Sequence, residues 1–343
     1  MALNHNKNNK KQKYLLLIIA IQIIVIIALF IGIKIYTSLR SINYDDSEDD
    51  NIIDNEIPIP HAEEYRNLVI FGVDSRENAL KESTNSDTII IVSINNGTKE
   101  VKLASIYRDT YVYIPDKGYN KINAAYFKGG YSLALSTINT NFDLNIKEYI
   151  TVNFRTLVTI IDKLGGISLD VKSNELNYLN GYVKELNRIN NTNSPTLKQP
   201  GTQVVNGTQA TAYARIRYTS GGDFKRTERQ RIIIDKLFQK AKETDIITLS
   251  SVVEEILPQI YTNLNTKDIL NLAKDILAYS IIDQTGFPFE KDAHNYKKVS
   301  YVFPINLEDN VVKLHQFFFA DIEYEPSQRV KDYSAYIEAI RRE

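Results

Sequence analysis

The run YLLLIIAIQIIVIIALFIGI at residues 14–33 limits what this chain can become before any other feature does, because Gln22 alone interrupts it and no charge enters it. About 20 consecutive apolar residues match the hydrocarbon core of a bilayer when coiled as a helix. Residues 14–35 are therefore expected to form a transmembrane helix. Lys7, Lys10, Lys11 and Lys13 precede the run and outnumber Lys34 and Arg40 behind it, so the positive-inside rule puts residues 1–13 in the cytoplasm as a short tail. A cleaved signal peptide would have a shorter apolar region, roughly 7–15 residues, and a small-residue cleavage site that IKIYTSLRS does not offer. The expectation is a single-pass cell-membrane protein whose C-terminal domain is extracytoplasmic.

Residues 36–65 carry Asp45, Asp46, Glu48, Asp49 and Asp50 in close order and end in Pro58 and Pro60, which reads as an acidic extracytoplasmic linker. Of the chain's 343 residues 43% are hydrophobic, enough for a substantial core beyond the linker. The formal net charge of −1 argues against a general nucleic-acid binder. Cysteine is absent, which removes disulfides, thiolate zinc sites and cysteine nucleophiles together. The histidines are His5, His61, His294 and His315, so a metal would fall to oxygen ligands, and magnesium, manganese or calcium is favoured over zinc.

Residues 67–73, 88–94 and 100–107 read as buried strands, with Asn96-Gly97 as the hairpin turn between the second and third. A helix at 132–141, a strand at 148–154, a helix at 155–164 stopped by Gly165-Gly166 and a strand at 167–172 follow. This alternation predicts an α/β fold, a three-layer α-β-α arrangement around a mixed, largely antiparallel sheet. Residues 174–199 are rich in asparagine and read as a surface excursion, in which Tyr178 and Tyr182 either stack on sugar rings or are exposed by chance among 22 tyrosines. Asn206 caps a short helix to residue 214 that delivers Arg215 and Arg217. Residues 66–245 form the expected core of the globular region. Residues 246–343 complete the domain with helices at 246–257 and 267–280, a loop near Gly286, a strand at 298–304 and a helix at 308–319.

The chemistry concentrates in RIRYTSGGDFKRTERQR, residues 215–231, where Arg215, Arg217, Arg226, Arg229 and Arg231 face only Asp223 and Glu228. Ile233, Leu237 and Ala241 make an apolar helical stripe. Traced backwards it passes through Arg226, Arg229 and Gln230, so these polar groups lean inward. Buried guanidinium needs a partner, either a carboxylate of the protein or a bound phosphate. A salt-bridged surface helix, begun by a Thr227 to Gln230 capping box or by Asp223 as N-cap, is the alternative. Antiparallel pairing of the first three strands would gather Asp74, Asp87, Arg108 and Asp109 at one sheet edge, a set suited to a divalent ion beside an anionic ligand. Singly, each has an ordinary role as a turn cap or exposed pair.

Six stretches occur in a recognisable order: GVDSR at 72–76, SDT at 86–88, SIYRDT at 105–110, NKINAAYFKGG at 120–130, NGTQATAYARIR at 206–217 and GGDFKRTERQR at 221–231. Together they resemble the LytR-CpsA-Psr family of cell-wall glycopolymer ligases. The resemblance implies transfer of a glycopolymer (teichoic acid, capsule or another wall polysaccharide) from a polyprenyl-pyrophosphate carrier to a peptidoglycan hydroxyl, with magnesium, or manganese in its place, at the pyrophosphate. It implies Asp74 and Asp87 as metal ligands, Arg108, Arg215, Arg217 and Arg226 on the phosphates with Gln230 in support, and Arg76 and Lys121 as further phosphate contacts. Asp223 is the implied base, with Asp109 second to it. Val69, Ile89 and Ile91 either face a cleft for the polyprenyl tail or pack the core. Tyr107 departs from the pattern by standing where the family usually has proline, which removes a rigid turn before Arg108. A membrane-anchored attenuator that binds lipid pyrophosphates, and a lipid-pyrophosphate hydrolase, are the competing readings.

Overall fold

The computed structural model describes residues 43–44, 52–53, 64–73, 84–265, 268–269, 271–272, 275–319 and 323–343. Its centre is a seven-stranded sheet of β1 (Asn43–Tyr44), β2 (Tyr65–Val73), β3 (Ser86–Asn95), β4 (Glu100–Ile106), β7 (Glu148–Asn153), β10 (Tyr261–Thr262) and β11 (Ser280–Phe287), in the order β1-β10-β7-β2-β3-β4-β11. β-branched residues dominate β3 and recur in β2 at Val69, Ile70 and Val73, and the turn at Asn96-Gly97 folds β4 back on β3. The β2-β3-β4 meander is antiparallel as expected, with Ile70 opposite Ile90 and Ile90 opposite Ser105. The expected antiparallel majority is absent. β1-β10, β2-β7 and β4-β11 pair parallel, matching the antiparallel β10-β7, β2-β3 and β3-β4, because β7 and β11 are each reached by a helical crossover.

Strand alternation divides the sheet's residues between two cores. Val69, Phe71, Ile89, Ile91, Ala104 and Ile106 point to one face, where they meet α1 (Asn123–Phe142), α7 (Leu307–Phe319) and α8 (Gln328–Arg341). Leu68, Ile90, Val92, Val101 and Leu103 point to the other, against Ile234 and Phe238 of α5 (Gly222–Lys242). A third cluster joins α2 (Phe154–Lys163), α3 (Ser173–Asn190), α4 (Gly207–Ala214) and the hairpin of β8 (Ile167–Val171) and β9 (Gly201–Val205). A short hairpin of β5 (Tyr111–Ile114) and β6 (Gly118–Lys121), helix α6 (Ile246–Ile256) and a hairpin of β12 (Lys291–Tyr296) and β13 (Val299–Pro304) complete the domain.

Several expectations need correction. The asparagine-rich stretch is the helix α3, not an excursion: Leu179, Val183 and Leu186 share one buried face. Its asparagines serve the backbone of the return segment, Asn180 donating to the Leu197 carbonyl at 2.9 Å and Asn187 to that of Ser194 at 2.8 Å. Residues 280–287, expected to leave a helix for a loop, form edge strand β11, because pairing with β4 outweighs the local glycine. Helix α1 starts nine residues earlier than the expected 132, its first turn divided from the rest by non-helical Gly129 and Gly130. Strand β12 and helix α8 were not anticipated. Inside the expected linker, Asn43–Tyr44 pairs with Tyr261–Thr262, since a sheet edge offers unpaired backbone groups to a neighbouring segment, and the Ile53 N–H donates to Ser136 Oγ of α1 at 3.0 Å. The expected tail, the expected transmembrane helix and most of the expected linker lie outside the described residues, among which no helix is long and apolar enough to cross a membrane.

The asparagine cap before α4 is formed as expected: Asn206 Oδ1 accepts from the Gln209 N–H and the Gln209 side chain accepts from the Asn206 N–H, both at 2.9 Å. Immediately after it, Gly207 lies against α2 so closely that a Cβ there would stand 2.3 Å from the Val158 carbonyl oxygen. This contact fixes where α4 ends and hence where Arg215 projects. Gly207→Ala should cost about 1–3 kcal/mol through overpacking against rigid backbone, read as a fall in unfolding free energy in urea.

Candidate functional site

Antiparallel β3 and β4 bring the first residues of one strand beside the last of the other, so Asp87 meets Arg108 across a 2.7 Å ion pair. Helix α4 ends at Ala214 with Arg215 as its C-cap, and Arg217 follows two residues on. Gly221, at φ 92°, turns the chain into α5, which starts at Gly222 rather than at either of the expected caps. Asp223 therefore sits in the first turn, with Arg226 and Gln230 on the inward face. Asp87, Arg108, Arg215, Arg217, Arg226 and Gln230 line one pocket of about 280 Å³, together with Phe154, Ala214 and Tyr182.

Asp223 stands beside Arg226 at 3.1 Å, Arg108 at 3.7 Å and Arg217 at 3.8 Å. The other oxygen of Asp87 lies 3.5 Å from Arg217. Arg215 reaches Glu185 at 3.3 Å and stacks over the rings of Tyr182 and Phe154. Asp109 binds Lys121 at 2.9 Å and lies 3.8 Å from Arg108, which leaves Lys121 one residue removed from the pocket wall. Asp74 and Arg76 lie outside the described residues.

These carboxylates do not satisfy the cationic set. Burial pushes Arg226 down to about 10, Asp223 and Asp87 opposing the shift while Arg108 and Arg217 add repulsion. Burial also pulls on Arg108, but Asp87, Asp223 and Asp109 outweigh it and raise its pKa. The Nε of Arg108 and of Arg226 are both buried without a hydrogen-bond acceptor among the described residues. The pocket thus holds cationic donors suited to a further anion.

Arg229, expected to lean inward with the same set, has a different role. It is 1% exposed and its donors are matched: Nε to Glu175 at 2.9 Å, Nη1 to the Ile216 carbonyl at 3.1 Å and Nη2 to Thr219 Oγ1 at 2.7 Å. Its partner is the protein's own carboxylate, and the pair ties α3 and α5 to the 215–219 segment. Tyr182, weighed above as chance exposure, is a wall of the pocket. The signal that could have found it was the hidden periodicity of α3.

Tyr107 replaces a rigid turn with hydrogen bonds. Its N–H donates to the Phe287 carbonyl at 3.0 Å, and its carbonyl accepts from the Thr110 N–H at 2.9 Å and Thr110 Oγ1 at 2.6 Å. Its ring packs edge-on against Phe224 at 4.6 Å. Gly286 makes room for it, since a Cβ there would lie 2.2 Å from the Tyr107 hydroxyl. The segments carrying Arg108 and Asp223 are thus joined by an aromatic contact as well as by charge.

A second cavity of about 400 Å³ shares Phe154, Ala214 and Gln230 with the first and is lined almost wholly by apolar groups, among them Ile70, Ile90, Ile150, Ile234, Leu237 and Phe238. Val69, Ile89 and Ile91 belong to the opposite core, so of the two roles open to them they take packing.

Glu175→Ala should cost about 3–5 kcal/mol, because it strands a buried guanidinium, whereas Glu175→Leu with Arg229→Met should recover most of that loss; urea unfolding of the two proteins checks it. Tyr107→Pro removes a donor and should cost about 1–3 kcal/mol, while Tyr107→Phe keeps the backbone bond and the ring contact; thermal melts of both distinguish the backbone from the hydroxyl.

The sequence profile of the LytR_cpsA_psr family matches residues 29–314. The chain is 31% identical over 244 residues to a polyisoprenyl-teichoic acid–peptidoglycan teichoic acid transferase, TagU of Enterococcus faecalis, covering 68% of this chain and 74% of that one. It is 26% identical over 239 residues to the corresponding transferase TagT of Bacillus subtilis, covering 68% and 71%. The fold matches that of YwtF (TagT) with bound octaprenyl pyrophosphate lipid at a TM-score of 0.55 and 22% identity, over 80% of this chain and 94% of that one. With six ordered motifs, the shared α/β fold and a profile match over residues 29–314, this chain belongs to the LytR-CpsA-Psr family.

Proposed function

We propose that the protein transfers a glycopolymer from a polyprenyl-pyrophosphate carrier to a hydroxyl of peptidoglycan on the outer side of the cell membrane. The observation that carries this reading is the junction of the two cavities: a pocket walled by Arg108, Arg215, Arg217 and Arg226 opens at Phe154, Ala214 and Gln230 onto an apolar one. An anionic head on a hydrocarbon tail has that shape and polarity. The teichoic acid transferases among its relatives and the lipid named for the TagT structure support the same class of donor.

Phosphoryl transfer asks mainly for positioning and charge stabilisation, which fixed guanidiniums supply. Arg108, Arg215, Arg217 and Arg226, all in the pocket wall, would hold the pyrophosphate oxygens. The acceptor hydroxyl oxygen attacks the phosphorus that bears the glycan. The bond from that phosphorus to the bridging oxygen breaks, and polyprenyl phosphate leaves with the electron pair. Asp223 takes the hydroxyl proton, with Asp109 the next carboxylate along. The product is a phosphodiester between glycopolymer and peptidoglycan.

Magnesium fits this donor set, since it is commonly held by one or two carboxylates plus substrate phosphates. Asp87 lies in the pocket wall, and Val73 pairs with Ser86 one residue before Asp74, which itself lies outside the described residues. Asp87 and Asp74 would hold the ion, which neutralises pyrophosphate charge when bound; manganese is a chemical equivalent.

Full-length Arg108→Ala and Asp87→Ala proteins should fold yet lose at least about 10²-fold of transfer from lipid-linked donor to peptidoglycan. Inorganic pyrophosphate at about 100 times its Kd should stabilise the wild type by about 2.7 kcal/mol and Arg226→Gln by much less, read as thermal shifts. Wild-type transfer by both variants would overturn the reading; free polymer released in the presence of peptidoglycan would make the enzyme a hydrolase.

A further inference from the structure

Helix α5 connects two chemically opposite ends. Arg226 and Gln230 lie in the arginine-walled pocket, and Ile233, Ile234, Leu237, Phe238 and Ala241 continue along the apolar cavity. From Gln230 to Ala241 the helix rises about 16 Å at 1.5 Å per residue. The chain then turns at Asp245 into α6, whose Leu249, Val252 and Val253 line the same cavity from the other side, with Ile276 nearby.

At that far end three large apolar side chains face solvent: Ile246 is 71% exposed, Ile247 79% and Leu277 62%. Ile246 stands three and seven residues before the cavity-lining Leu249 and Val253, so it extends their helical stripe outward. Leu277 directly follows the cavity-lining Ile276. Single exposed hydrophobics need no explanation, but three bordering one apolar cavity mark a contact surface. The backbone donors of the turn that carries the isoleucines are met, because Asp245, itself an exposed carboxylate suited to headgroup level, accepts from the Ile247 N–H at 3.0 Å and the Thr248 N–H at 2.9 Å. Satisfied backbone donors are what a segment needs when it meets hydrocarbon.

We infer that Ile246, Ile247 and Leu277 form a membrane-contact surface that rests in the outer leaflet and joins the apolar cavity to the bilayer, so that a lipid tail can enter without crossing water. The apolar run at residues 14–33 gives the domain a bilayer to face. Buried at the headgroup boundary, such side chains hold a surface to lipid without spanning it. The purpose of the surface rests on the lipid-linked donor proposed above; its existence rests on the exposures alone, and the test separates the two.

The chain contains no tryptophan, so Ile247→Trp in the full-length protein is a lone tryptophan, whose emission can be excited apart from that of the tyrosines. In phosphatidylcholine vesicles with brominated acyl chains its emission should be blue-shifted and strongly quenched. Tyr336→Trp, a 45% exposed position on α8 at the opposite sheet face, should stay unquenched. Equal quenching of the two, or none for Ile247→Trp, overturns the inference. A blue shift in unbrominated vesicles that grows with protein-to-lipid ratio assigns the surface to a second copy and also overturns it. Ile246→Ser with Ile247→Ser should slow transfer from a bilayer-embedded donor several-fold while leaving a short-chain, water-soluble prenyl donor unaffected; equal effects on both overturn it. If the wild type uses neither donor, the proposed reaction fails, and the quenching still decides the surface.

Discussion

The buried pair of Arg229 and Glu175 is the interaction on which the site depends. Neither side chain reaches water to any useful extent, and the 2.8 Å contact joins the start of α3 to the middle of α5. Charge at that depth is stable only when its donors and acceptors are met, and here they are. The same guanidinium holds the Ile216 carbonyl and the Thr219 hydroxyl, so the segment bearing Arg215 and Arg217 is tied down between them. One arginine is used up as structure, and its neighbours are held ready for chemistry.

That separation distinguishes arginines that look alike. Arg229 has matched donors, whereas Arg108 and Arg226 each keep a buried Nε without an acceptor among the described residues. Asp87 and Asp223 moderate the repulsion among Arg108, Arg217 and Arg226 but supply fewer charges than they face. Guanidinium groups held in place in this way are preorganised charge, which avoids the reorganisation that solvent would require.

The sheet adds an economy of its own. Alternate residues of β2 and β3 serve different purposes: Val69, Phe71, Ile89 and Ile91 seal the core beneath α1, while Ile70, Gly72, Thr88 and Ile90 form one wall of the apolar cavity. Gly72 is needed there, since a Cβ would stand 2.8 Å from that of Thr88. Because the strands are rigid on the core side, the cavity wall is rigid as well.

The sequence by itself determined the β2-β3-β4 meander, the gathering of Asp87, Arg108 and Asp109 at its edge, and the inward lean of Arg226, Arg229 and Gln230, because period, turn residues and charge are local properties. Only the tertiary structure decided which arginine met a carboxylate of the protein, since Glu175 is 54 residues from Arg229 and no spacing rule connects them. It also decided that the asparagine-rich stretch is a helix carrying Tyr182 to the pocket, and that residues 280–287 form a strand beside β4. In both places long-range contacts outweighed weak local preference. The face taken by Val69 rather than Ile70 was undecidable from a run apolar on both sides; the difference arises only when α1 packs one face and α5 leaves a cavity at the other.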